Sequence, residues 1–259
     1  MINGTKIANQ ISARLSLRKP QNESLTILCD VLEQLELSKE PDMVHWLKVL
    51  KAGHKTIKDF ERKFPSLCFA IATGVGKTRL MGAMIAWLFL TGRSRHFFVL
   101  APNLTIYEKL KQDFTLGSPK YVFQGIPELA QTPPIIVTGD DYGDGRGVRL
   151  DYAVPASMTP DMFGADTAPH INIFNVSKIN ALGETKKGAA KPTTAKIRRL
   201  QEYVGDSYFN YLAELPDLVV LMDEAHRYYA SAGATAINDL KPILGIELTA
   251  TPKTTGERL

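Results

Sequence analysis

The chain has 259 residues, 44% hydrophobic and 22% charged, and its 31 Lys+Arg against 27 Asp+Glu give a formal net charge of +4. These proportions exclude disordered, collagen-like and fibrous chains, and a charge this mild permits nucleic-acid binding without demanding it. A chain of this length can bury a sizeable core unaided, and two lone cysteines, Cys29 and Cys68, exclude both a disulfide-rich scaffold and a four-cysteine zinc site.

Residues 1–17 hold no continuous apolar run, so no signal peptide is expected. The following cluster, Arg18-Lys19-Pro20-Gln21, is polar. A Gln amide both donates and accepts, so Gln21 could pair with an adenine edge; a plain surface cluster is the alternative. Residues 25–37 predict an amphipathic helix with Leu25, Leu28, Cys29, Leu32 and Leu35 on one side. Residues 44–50 and 56–64 read as further short helices. Residues 1–65 thus form a helical lead-in, expected to pack on a sheet.

Six short apolar runs follow, at 67–72, 97–101, 135–138, 171–175, 218–223 and 245–249. Nearly continuous apolar runs suit strands covered on both faces. Helical spacing appears between some of them, as at 80–90 and 106–114. The alternation predicts an α/β fold with a mostly parallel sheet flanked by helices. The most apolar stretch, residues 81–90, falls short of the roughly 20 residues that span a bilayer, so a soluble, cytoplasmic protein is expected. Residues 138–170, rich in Gly, Asp and Pro, read as a long loop. Residues 183–199 carry Lys186, Lys187, Lys191, Lys196, Arg198 and Arg199 against one acid, Glu184, and run into a predicted helix at 194–215.

The first chemical constellation is Ala72-Thr73-Gly74-Val75-Gly76-Lys77-Thr78, between an apolar strand and an apolar helix. Glycines there let backbone N–H groups cradle phosphate oxygens, and the helix adds its positive end. Lys77 would reach the β- and γ-phosphates and the Thr78 hydroxyl would ligate Mg²⁺. Ile71 stands where the strict phosphate-loop pattern has its first Gly. The second constellation is the run Leu218 to Asp223, continued by Glu224-Ala225-His226. A buried strand there delivers two carboxylates at its C-terminal end, where α/β ligand sites lie. Asp223 could hold Mg²⁺ and Glu224 could orient and deprotonate an attacking water; alone, the pair could equally be a helix N-cap. The third is Thr249-Ala250-Thr251-Pro252, closing the last strand.

In this order the pieces resemble a superfamily 2 helicase core, specifically its first RecA-like domain. Residues Ala72 to Thr78 look like the helicase form of the Walker A loop, which often lacks the first Gly. Asp223-Glu224-Ala225-His226 reads as a DEAH box, and Thr249-Ala250-Thr251 resembles the motif that couples ATP state to nucleic acid. Arg18 and Gln21 sit where this family keeps its adenine-recognising segment. Leu100-Ala101-Pro102-Asn103-Leu104 resembles a backbone-contacting motif, which gives Pro102 and Asn103 a nucleic-acid role. A finer resemblance, carried by residues 99–110, 223–228 and 237–252, is to the restriction (Res) subunits of type III restriction enzymes and their relatives in other phage-defence or DNA-processing systems.

The resemblance implies ATP and Mg²⁺ as cofactors, an ATP-driven translocase on duplex DNA, and a separate modification (methyltransferase) subunit that reads sequence. It makes residues 66–259 the RecA-like domain and gives His226, Thr249 and Thr251 a coupling role, although His226 could equally be a structural histidine. The basic stretch would then neutralise DNA phosphates, or else be a solvated loop. The family's second RecA-like domain, with its arginine finger, finds no counterpart before Leu259. Weak or absent ATP hydrolysis by the isolated chain is therefore expected. The competing readings are an RNA helicase domain and a non-catalytic interaction module.

Overall fold

The computed structural model describes residues 3–54, 57–144, 168–176, 208–228 and 231–251. Three helices lead in: α1 (Gly4–Arg14), α2 (Lys19–Gln34) and α3 (Met43–Gly53). The alternating part follows as β1 (Ser66–Ala70), α4 (Lys77–Leu90), β2 (His96–Ala101), α5 (Leu104–Phe114), α6 (Pro127–Gln131), β3 (Ile135–Thr138) and β4 (His170–Asn175). It continues with α7 (Tyr208–Glu214), β5 (Leu218–Asp223), a 3₁₀ turn (Ala225–Tyr228), α8 (Ser231–Asp239) and β6 (Leu244–Thr249).

Among the described residues every strand pairing is parallel, in the order β1-β6-β5-β2-β4-β3, and the result is a RecA-like α/β fold. All six apolar runs are strands. The reason lies in the burial: every residue of β2, β4, β5 and β6 is buried, as strands covered on both faces require. Alternate side chains feed two cores. Phe97 and Val99 pack with α1, α2 and α4, whereas Phe98 and Leu100 pack with α7 and α8. The edge strands β1 and β3 are only partly buried.

The lead-in helices share the first core, with Ile11, Leu28 and Leu32 packed alongside α4. Helix α4 is buried almost all round, as its unbroken apolar sequence dictates. Trp87 on α4 is fully buried and donates its indole N–H to Gly4 O at 2.9 Å, which ties α1 to the sheet layer. Truncating such a side chain costs about 3–5 kcal/mol. Among the described residues, no helix is long and apolar enough to cross a membrane.

One element differs from the sequence expectation. Residues 57–64 form no helix, although Ile57, Phe60 and Phe64 have helical spacing. Pro65 disfavours helix at the residue before it. The segment is instead held by tertiary contacts: Arg62 enters the protein to meet Glu247 at 2.9 Å, and Lys63 N donates to Asn238 Oδ1 at 3.1 Å. Helix α2 also starts earlier and ends sooner than the apolar pattern over 25–37 indicates. The basic stretch, most of the loop at 138–170 and the helix expected from 194 lie largely outside the described residues; α7 covers the last part of that helix.

Candidate nucleotide site

Parallel topology carries β1, β2, β5 and β6 to the same edge of the sheet, so the chemical motifs converge at their C-terminal ends. After β1 the chain turns through Gly74 (φ +81°) and Gly76 (φ +99°), left-handed conformations that favour glycine. Gly76 is also the N-cap of α4, whose first residue is Lys77. A Cβ on Gly76 would lie 2.8 Å from Gln21 Nε2, so only glycine fits there without a shift.

Helix α2 grips this loop. Gln21 Nε2 donates to Gly76 O at 2.8 Å, and an Arg18 guanidinium N–H donates to Gly74 O at 3.2 Å. The Gln21 amide oxygen accepts from Arg18 N at 2.8 Å, which caps α2. Arg79, in the first turn of α4, donates to Leu15 O at 2.9 Å and ties α4 to the end of α1. Two loop carbonyls that would repel a phosphate are thereby drawn onto α2. Gln21 is 1% exposed, so in this conformation its amide faces the loop rather than open space.

Across the edge, β5 ends at Asp223, which is buried, and its Oδ1 accepts from Glu224 N at 3.0 Å. Burial pushes the Asp223 carboxyl above its ordinary value; Lys77 pulls it back, and Glu224 adds to the rise. Glu224 itself has φ +51°, an uncommon conformation for a residue with a side chain. Its Oε1 sits 2.5 Å from Lys77 Nζ, joining the phosphate loop to the acidic pair. Thr78 is buried at the start of α4.

His226 lies in the 3₁₀ turn with Nδ1 3.1 Å from Thr249 Oγ1, 3.4 Å from Thr251 Oγ1 and 3.6 Å from Glu224 Oε2. It links the acidic pair to the end of β6. Behind it, the buried Arg62 guanidinium donates to Glu247 and to Tyr228 O, and Ser66 Oγ donates to Glu247 at 2.9 Å. These bonds fix the 3₁₀ turn against β6.

Thr73, Gly74, Val75, Gly76, Lys77, Thr78, Asp223, Glu224, His226, Thr249 and Thr251 thus gather at one edge, with Arg18 and Gln21 behind the loop. Pro102 and Asn103 stand after β2; Pro102 is buried and Asn103 Oδ1 accepts from Ile106 N at 2.9 Å, capping α5. The exposed side chain of that turn is Leu104. Lys186, Lys187, Lys191, Lys196, Arg198 and Arg199 lie outside the described residues. Sequence reading missed Arg79, Arg62 and Lys109, whose ammonium stands 3.5 Å from Thr78 Oγ1. Their partners are 64, 185 and 31 residues away, and no local pattern signals such contacts.

The donor set fits the phosphates and divalent ion of a nucleotide. Left-handed glycines open the loop, Lys77 faces it, and a hydroxyl and a buried carboxylate that favours a cation stand beside it.

The description "type III restriction enzyme, res subunit" belongs to a protein family whose sequence model matches residues 14–254. The chain belongs to this family. Membership of the Res family supports reading it as a helicase-like, nucleotide-driven motor domain. Among solved structures, the chain is similar to the Sulfolobus solfataricus SWI2/SNF2 ATPase core in complex with dsDNA. The two share 14% identity with a TM-score of 0.43, over 84% of this chain and 33% of that one. This Res-family chain therefore spans about a third of the length of that solved chain. No curated protein matches it.

Proposed function

We propose that the chain is the ATP-binding motor domain of a DNA helicase or translocase in a type III restriction or related phage-defence system. The observation that carries this reading is the 2.5 Å contact between Lys77 and Glu224, which joins a phosphate loop to an acidic pair across the sheet edge. In the reading, residues 66–259 form the RecA-like domain and residues 1–65 a helical lead-in that steadies the loop and flanks the adenine. Lys77 leaves Glu224 to contact the β- and γ-phosphates, which frees Glu224 to orient and deprotonate the attacking water. Thr78 and Asp223 hold Mg²⁺, which when bound neutralises phosphate charge. His226, Thr249 and Thr251 pass the state of the acidic pair to the end of β6. The turn at Pro102 and Asn103 and the basic residues Lys186, Lys187, Lys191, Lys196, Arg198 and Arg199 are assigned to duplex DNA, in the cytoplasm. A methyltransferase subunit and a second RecA-like domain complete the machine.

Equilibrium binding of the chain to duplex DNA and to RNA, with and without Mg²⁺ and a non-hydrolysable ATP analogue, tests this. Duplex preference that changes with the analogue is expected. RNA preference would assign an RNA motor, and binding that ignores the analogue would indicate an interaction module.

A further inference from the structure

Lys109 lies in the 99–110 stretch that carries the Res resemblance, which gives it no role, yet it reaches the nucleotide site. It projects from α5, and its ammonium stands 3.5 Å from Thr78 Oγ1, the outer limit of a hydrogen bond. On its other side, Asp113 Oδ2 lies 4.0 Å away, one turn further along the same helix. The Asp113 side chain is 7% exposed and that of Lys109 is 58% exposed, so the lysine is the mobile partner of the pair. Its charge is felt at Asp223 as well. One flexible cation therefore stands within reach of both the Thr78 hydroxyl and the Asp113 carboxylate.

A Thr hydroxyl that ligates a divalent ion turns its lone pairs to that ion, and a cation at the same oxygen would be repelled. We propose that Lys109 is a stand-in cation: it keeps the place beside Thr78 until the divalent ion enters, then withdraws along α5 to Asp113. This rests on the reading of the site as one for Mg²⁺ and nucleotide. Two consequences separate it from a plain surface lysine. Without Mg²⁺, Lys109 supplies part of the positive charge that the phosphates meet. With Mg²⁺, it competes with the ion.

The test is Mg²⁺ titration of the purified chain at a fixed concentration of a fluorescent, non-hydrolysable ATP analogue, with a parallel series in EDTA. For Lys109→Met, the half-saturating Mg²⁺ concentration should fall roughly fivefold, the scale of a partly exposed charge interaction, and binding in EDTA should weaken. Lys109→Arg, which keeps the charge, should resemble the wild type. Asp113→Asn, which removes the retreat, should raise the half-saturating Mg²⁺ concentration. A Lys109→Met protein with wild-type Mg²⁺ dependence, or one needing more Mg²⁺, overturns the stand-in role while leaving the nucleotide site intact. If the wild type binds no analogue, or Lys77→Ala binds it equally well, the nucleotide reading falls and the stand-in role falls with it.

Discussion

Two aspartates stand at opposite ends of β5. Asp217, just before the strand, receives His96 Nδ1 at 2.5 Å and Arg95 N at 2.7 Å. Burial alone would raise its carboxyl, but the His96 hydrogen bond, the His96 charge and the Arg95 N–H outweigh it, and the carboxyl lies below its ordinary value. Asp223, at the far end, is raised because burial outweighs the pull of Lys77. One carboxylate is satisfied by the fold, and the other holds charge that the fold alone does not offset. The first is a stability device. The second is the carboxylate to which the proposed function assigns a cation, and a raised carboxyl at a sheet edge is a candidate for function.

The largest expected effect sharpens the stability side. Arg62→Ala removes the buried Arg62–Glu247 ion pair from a carboxylate that Ser66 Oγ also contacts, which should cost about 3–5 kcal/mol in chemical denaturation. Lys77→Ala acts on the opposite side: calorimetry should show nucleotide binding weakened by about 2–5 kcal/mol. The thermal transition should stay close to that of the wild type.

The paired substitutions at β5 come next. Asp217→Asn should lose about 1.5–3 kcal/mol of stability, the scale of hydrogen bonds to a charged group, with nucleotide binding unchanged. Asp223→Asn should lose the Mg²⁺-dependent part of nucleotide binding and keep or slightly gain stability. If Asp223→Asn proved the more destabilising of the two, the contrast between the strand ends would be broken.

The smallest effect is in pH. Asp217, with its folded pKa lowered, contributes stability above its unfolded value of about 3.8, lost as pH falls through the folded pKa below it. Asp223, with its folded pKa raised, costs stability at neutral pH, and the cost is relieved as pH falls through that raised pKa, above 3.8. Denaturation curves between neutral pH and about pH 4 should show the wild type gaining on Asp223→Asn while its advantage over Asp217→Asn persists.

The contrast also explains what the sequence carries openly. Strands buried on both faces are mostly apolar, so β2, β4, β5 and β6 announce themselves. The glycine loop before α4 does too, because its left-handed turns favour Gly74 and Gly76 in fixed relation to Lys77. Helix α1 is harder to see, since its buried residues are only Gly4, Ala8 and Ile11 in a polar sequence. The grip of Arg18, Gln21 and Arg79 on the loop, and the Arg62–Glu247 pair, join residues far apart in the chain. Such pairings exist only once the sheet has assembled. For the same reason the sequence points to Gln21 only as an adenine contact, and its hydrogen bond to Gly76 O is seen only in the fold.

In the proposed function, the edge holding Lys77, Thr78, Asp223 and Glu224 is a Mg²⁺-dependent nucleotide site. Isothermal titration of the purified chain with ATP, with Mg²⁺ and with EDTA, tests it most directly, using Lys77→Ala as the control. Saturable binding that Mg²⁺ strengthens and Lys77→Ala strongly weakens is expected. Absence of binding by the wild type, or equal binding by Lys77→Ala, would contradict it.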